Sequence, residues 1–294
     1  MTARVGTGGP HVGPAAVEAA AAIAAWPEVA EAVEEAREAC TRLRWHQALR
    51  RRIPEAAAES RVRGASASGD LEGAPLSADI VRDLMRGAAT WHDPLDPVEE
   101  VMKGVVAATA ETERAATLVR QSPLQVLARL HTVAAAELVP ADELGRPRLA
   151  GEGSEELVLV SPAPEAAQAR DRLAGVVALV DALDALPVPV VTALVHAEVI
   201  TARPFTRANG VVARALERVL VVAGGLDPTG VAVPEFGHAV GGGPAYFGAL
   251  TAYARGDRAG VTLWLTHAIG ALVRGAQEGE RIADAVLAGR LGGG

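Results

Sequence analysis

Apolar and polar residues alternate with a helical period along most of this chain. From residue 15 to about residue 58 the pattern is helical. Pro27 suits the first turn of a second helix running through Val29, Val33, Ala36, Cys40, Leu43 and Ala48. Pro54 is expected to end or kink it. Residues 64–75 are small and polar and read as a loop, or as a short helix stopped by Gly73. Ser77 caps a further helix that closes near Trp91–Pro94, and another runs from Pro97 to about Gln121. Ser122 and Pro123 open a helix through Leu127, Leu130, His131 and Ala134, with Ser122 as its cap.

After Gly145-Arg-Pro-Arg the pattern changes. Leu157-Val-Leu-Val160, between polar neighbours, is the best strand or hairpin candidate. Helical spacing returns over residues 165–186 and 190–201. A loop, residues 202–210, leads directly into a helix over residues 211–223. Two more helices, over residues 244–254 and 260–286, follow. Residues 1–13, rich in Gly, Pro and Thr, are expected to be disordered.

Composition supports this all-helical reading. Half of the 294 residues are hydrophobic, but much of that is alanine, and aromatics are only 3%. The core must therefore be built from Leu, Val, Ile and Ala, in a composition that favours helix. The net charge of −8 argues against nucleic acid as a partner. Lys103 is the only lysine, so the positive charge is carried by arginine. Cys40 is the only cysteine, which rules out an internal disulfide and a cysteine metal site. The alanine run before Trp26 is interrupted by Glu18 and preceded by Arg4 alone, so it does not read as an export signal. No uncharged apolar run reaches eighteen residues, so no membrane helix is expected and a cytoplasmic location is.

The chemistry concentrates in the loop before residue 211. Asn209-Gly210 at the start of a helix presents backbone N–H groups at a positive dipole end, a natural seat for phosphate. Gly210 supplies the backbone freedom such a nest needs. Arg214, one turn on, can turn its fork back to the same anion. Pro204 and Phe205 fix the loop. A buried helix–loop–helix joint, with Asn as cap and Gly for geometry, is the alternative reading of the same residues.

The whole segment, His196-Ala-Glu-Val-Ile-Thr-Ala-Arg-Pro-Phe-Thr-Arg-Ala-Asn-Gly-Val-Val-Ala-Arg214, resembles the Fic (Fido-domain) motif, H-P-F-x-[D/E]-G-N-G-R-x-x-R. Pro204, Phe205, Asn209, Gly210 and Arg214 match it, and His196 stands where the family often carries a histidine. The resemblance covers about residues 60–285. It implies a Fic-like helical core, residues 95–288, with one small β-hairpin flap near Leu157–Val160. An N-terminal helical region, residues 14–94, would precede it. The activity implied is transfer of AMP, or a related phosphate-bearing group, from ATP with Mg²⁺ to a protein hydroxyl.

Three positions depart from the motif. Arg203 stands where the family has its catalytic histidine, and a guanidinium cannot serve as a base near neutral pH. Arg207 replaces the acid that helps hold Mg²⁺, and a cation there repels a metal. Val211 replaces a diphosphate-binding arginine, while Ala208 stands for a glycine, a milder change. Arg203 and Arg207 still add charge to an anion seat. Arg207 is expected to face solvent, and Arg203, deeper in the loop, either solvent or ligand.

Ser68-Gly-Asp-Leu-Glu72-Gly73 resembles the family's inhibitory [S/T]-x-x-x-E-[G/N] helix. Carried over, it implies a Glu72–Arg214 ion pair. The alternative is a solvated loop glutamate. His131 and His196 read as hydrogen-bonded core histidines, with His196 the one nearby substitute base. His46, His92, His238 and His267 show no metal-ligand spacing.

The expectation is a degenerate Fic protein binding a nucleotide, with ATP the first candidate, or a phosphate-bearing ligand through Asn209, Gly210, Arg214 and Arg207. Little or no AMP transfer is expected, and neither membrane nor nucleic acid as partner. An active transferase with a non-standard base and an inert helical protein-interaction module are the alternatives.

Overall fold

The computed structural model describes residues 12–290. Most of the stretch expected to be disordered, residues 1–11, lies outside them, but Val12 and Gly13 already open the first helix. Among the described residues there are twelve α-helices and no strand. They are α1 Val12–Ala24, α2 Pro27–Arg44, α3 Ile53–Leu71, α4 Ala78–Met85, α5 Pro97–Leu118, α6 Pro123–Ala134, α7 Ala166–Asp181, α8 Val188–Ala202, α9 Asn209–Ala223, α10 Pro234–Ala239, α11 Gly242–Ala254 and α12 Arg258–Leu287.

Local chemistry sets several boundaries. Asp96 accepts from the N–H groups of Val98 and Glu99 at 2.8 and 2.9 Å, and Glu99 returns a bond to the Asp96 N–H, a complete capping box for α5. Ser77 caps α4 and Asp257 caps α12. Ser122 holds the cap position of α6 but makes no side-chain cap bond. Helix α8 is apolar all round and buried from Pro189 to Ala197. A helix of that kind belongs in the centre, and α7, α9, α11 and α12 surround it. The indole of Trp264 on α12 donates to the Ala193 carbonyl at 2.7 Å and locks α12 onto α8.

The structure differs from the sequence reading in three places. Pro54 starts α3 rather than ending α2, and the stretch read as a loop is the second half of α3. Its small residues allow close packing: a Cβ on Gly69 would strike the Met102 sulfur, and one on Gly64 would meet Arg218 Nη2 at 2.5 Å. Gly73, at φ +73°, ends the helix, with Ala74 N–H on the Gly69 carbonyl and Gly73 N–H on that of Asp70, a Schellman motif. Residues 156–160, read as a strand or hairpin, form a turn with Leu157 at φ +54°. No strand lies beside them. Leu159 is 87% exposed, and a side-chain guanidinium takes the carbonyls that a β-partner would have taken. The short helix α10 lacks a clear periodic signal because it is only six residues long.

Candidate functional site

Helix α8 ends at Ala202, and Arg203 adopts the left-handed conformation, φ +42°. The chain reverses through Pro204 and buried Phe205, whose ring stacks on His131 at 3.8 Å. Asn209 closes the loop from both ends. Its Oδ1 accepts from the Phe205 N–H at 3.0 Å and its Nδ2 donates to the Phe205 carbonyl at 2.9 Å. Helix α9 starts there, preceded by Ala208 at φ +62°. The left-handed residues are therefore Arg203 and Ala208, not Gly210. Gly210 serves by lacking a Cβ, which would collide with the Glu72 carboxylate.

The start of α9 is an anion seat, and a carboxylate occupies it. Glu156 Oε1 accepts from Ala208 N–H at 2.6 Å, and Oε2 from Asn209 N–H at 3.1 Å and Asn209 Nδ2 at 3.0 Å. Arg207 Nε stands 3.4 Å from Oε1. Burial, and then the Glu72 charge, raise the Glu156 pKa, while the Asn209 and Ala208 bonds oppose the rise.

Arg214 is buried on α9 and meets the end of α3. Its Nε donates to Ser68 Oγ at 2.9 Å and its Nη2 to Glu72 Oε1 at 2.5 Å. Burial disfavours the guanidinium charge, but Glu72 more than offsets this and holds Arg214 firmly protonated. An acidic side chain at the negative end of a helix is unfavourable alone; Arg214 supplies the compensating charge. The fold thus brings together Ser68, Glu72, Glu156, Gly210 and Arg214. With Phe247 and Leu157–Val160 they line a cleft of roughly 280 Å³.

Arg203 does not point into that seat. It is fully buried, with Nη1 on the Glu156 carbonyl at 2.8 Å and Nη2 on the Ser161 carbonyl and hydroxyl at 2.7 and 3.1 Å. Burial, then Arg148, lower its pKa from the usual arginine value. Arg148, itself buried, donates to the carbonyls of Arg203, Glu152 and Pro164 at 2.7–2.8 Å. Two arginines therefore staple residues 145–165 to the loop. Arg207 is half exposed and paired with Glu156. His196 is fully buried between Glu217 and Tyr246, and burial pulls its pKa down to about 4. It is not placed to act as a base at the loop.

No protein-family model and no curated protein matches the sequence. Solved structures do. A Fic family protein from Desulfovibrio desulfuricans G20 superposes with a TM-score of 0.66 at 21% identity, over 90% of this chain and 76% of that one. Fic-1 from C. elegans gives 0.64 at 14% identity, over 90% and 74%. A Fic-domain-containing signaling protein from Bacteroides thetaiotaomicron VPI-5482 gives 0.60 at 14%, over 86% and 98%.

This chain has the Fic fold. At such identity the likeness fixes the fold, and the chemistry must be argued from the residues. In the Fic loop of this chain the donors suit phosphate, since two backbone N–H groups and a guanidinium already hold carboxylates. Mg²⁺ does not fit at the motif's acidic position, where Arg207 stands.

Glu156, Ser161 and Arg148 carry much of the site and were not singled out from sequence. The replacement of an acid by Arg207 did offer a signal: a new cation beside an anion seat calls for an acidic partner. Nothing in the spacing says that the partner lies 51 positions upstream.

Proposed function

We propose that this protein binds a nucleotide or another phosphate-bearing ligand at its Fic loop, with little or no AMP transfer, and that its own carboxylates hold the site shut. One observation carries the reading. Both halves of the anion seat are filled from within, Glu72 on Arg214 and Glu156 on the N–H groups of Ala208 and Asn209. Carboxylates held by oriented N–H groups and a guanidinium mark a site whose fields suit phosphate oxygens. The absence of transfer rests on Arg203, which is committed to the Glu156 and Ser161 carbonyls and has no basic nitrogen to offer.

When bound, a nucleotide would bring its phosphates to the Asn209 N–H, the Asn209 side chain and Arg214. Glu72 and Glu156 would have to withdraw. Arg207 is exposed and adds a positive charge at the rim.

Titration calorimetry with ATP, with and without Mg²⁺, tests this on the wild type, Glu72→Gly, Glu156→Ala and Arg214→Ala. The expected result is weak binding by the wild type and binding tightened about tenfold in Glu72→Gly, the scale of one charge-assisted bond. Arg214→Ala added to Glu72→Gly should abolish it. No binding by any variant would leave the Fic scaffold as an inert interaction module. AMP transfer by the wild type to any protein would sink the claim of little or no transfer.

A further inference from the structure

Behind the Fic loop, three side chains from three helices converge in a fully enclosed space: His196 of α8, Glu217 of α9 and His238 of α10. Each is at most 1% exposed. One donor atom from each lies within 4.8 Å of the other two. His196 Nδ1 and His238 Nε2 both aim at the same carboxylate oxygen, Glu217 Oε2, at 2.6 and 2.8 Å.

The remaining atoms show a second layer. His196 Nε2 meets the Tyr246 hydroxyl at 2.7 Å, and His238 Nδ1 faces His267 Nε2 at 3.4 Å. Trp264 lies parallel to the His238 ring and seals the space. The second carboxylate oxygen, Glu217 Oε1, is buried and has no partner among the described residues.

Without an ion, both imidazoles must turn an N–H to one oxygen while the other oxygen of the same carboxylate stays bare. A buried acceptor with no donor is costly. A cation removes the imbalance. The two imidazole nitrogens and both oxygens supply four donors, the usual number for a closed site. Each histidine then carries its proton on the far nitrogen. Partners for those nitrogens are in place, as the outer layer of a histidine metal site requires.

We propose that His196, Glu217 and His238 form a structural site for a divalent first-row transition metal, with zinc as its natural probe. The donor set of two imidazoles and a carboxylate suits that class better than Mg²⁺ or Ca²⁺. No open coordination position faces a cleft, so the ion's role is to join helices. It ties α8, α9 and α10 together three residues beyond Arg214, under the anion seat. The inference is independent of what the Fic loop binds.

The test uses untagged full-length protein, dialysed and analysed for metals by plasma mass spectrometry. About one zinc-class ion per chain is expected, with occupancy falling at least tenfold in Glu217→Gln and in His238→Ala. Because those variants may not fold, the wild type is also stripped with a chelator and reloaded with Co²⁺. Strong visible d–d bands, lost again on zinc addition, are expected for a four-coordinate nitrogen–oxygen site. Wild-type protein that is metal-free as isolated and shows no such bands with Co²⁺ would overturn the proposal. So would metal content unchanged in well-folded Glu217→Gln and His238→Ala.

Discussion

At the scale of single residues, the Fic loop shows a substitution that changed its job. Arg203 stands at the position of a base, yet its guanidinium holds the Glu156 and Ser161 carbonyls and no ligand. Returning a histidine there should therefore not create a transferase. Arg203→His leaves two carbonyls without their donor and a void in place of a fully buried side chain. Each bare carbonyl costs on the order of 1–3 kcal/mol. Denaturant unfolding of Arg203→His should show a loss of a few kcal/mol, and a transfer assay should show no gain. Gly210 gives a second prediction at this scale. A Cβ there meets Glu72 Oε1, so Gly210→Ala should push Glu72 off Arg214 and tighten ATP binding as Glu72→Gly does. Calorimetry that found Gly210→Ala equal to wild type would show that the ion pair does not limit access. Much of this site was legible in the sequence, because Asn209, Gly210, Arg214, Ser68 and Glu72 lie in two short motifs. Glu156 was not, because its role depends on a turn that folds back from outside both.

At the scale of elements, the end of α3 decides whether Glu72 can reach Arg214. The Schellman motif at Gly73 sets where the last turn stops, and so where Glu72 points. Gly73→Ala meets no steric obstacle, since nothing lies within 4 Å of the added carbon. Its cost is conformational alone, about 1–2 kcal/mol for a left-handed alanine. A thermal melt should register that loss, and the loosened helix end should raise ATP affinity. The same element explains the failed loop reading of residues 64–75. Gly and Ser weigh against helix when taken alone, but here they are what lets α3 press against Met102 and Arg218. Tertiary contact overrides local propensity. The flap fails as a hairpin for the converse reason: its apolar run had a strand's pattern, but the fold supplies two arginines in place of a partner strand.

At the scale of the whole molecule, buried titratable groups set how stability responds to acid. His131 is fully buried, stacked on Phe205, with its Nδ1 accepting from Gly145 N–H at 2.9 Å. Burial pulls its pKa from 6.5 down to about 4. The unfolded chain thus takes up a proton near pH 6.5 while the folded one resists until about pH 4. The stability this group contributes is complete above pH 6.5 and is lost as pH falls through 4, by on the order of 3 kcal/mol. Glu156 acts in the opposite sense. Its folded pKa is raised, so its contribution is complete below 4.5 and is lost as pH rises through the higher folded value. Between pH 6.5 and 4 the two oppose each other, with His131 the larger. Urea unfolding at a series of pH values should show stability falling with acid in the wild type. The fall should be shallower in His131→Phe, which keeps the ring stack but cannot titrate. It should be steeper in Glu156→Ala, where the opposing group is gone. Parallel slopes in all three proteins would mean that neither group changes its proton affinity on folding. The carboxylate in the anion seat would then sit there without strain, and the case that an incoming phosphate can displace it would be correspondingly weaker.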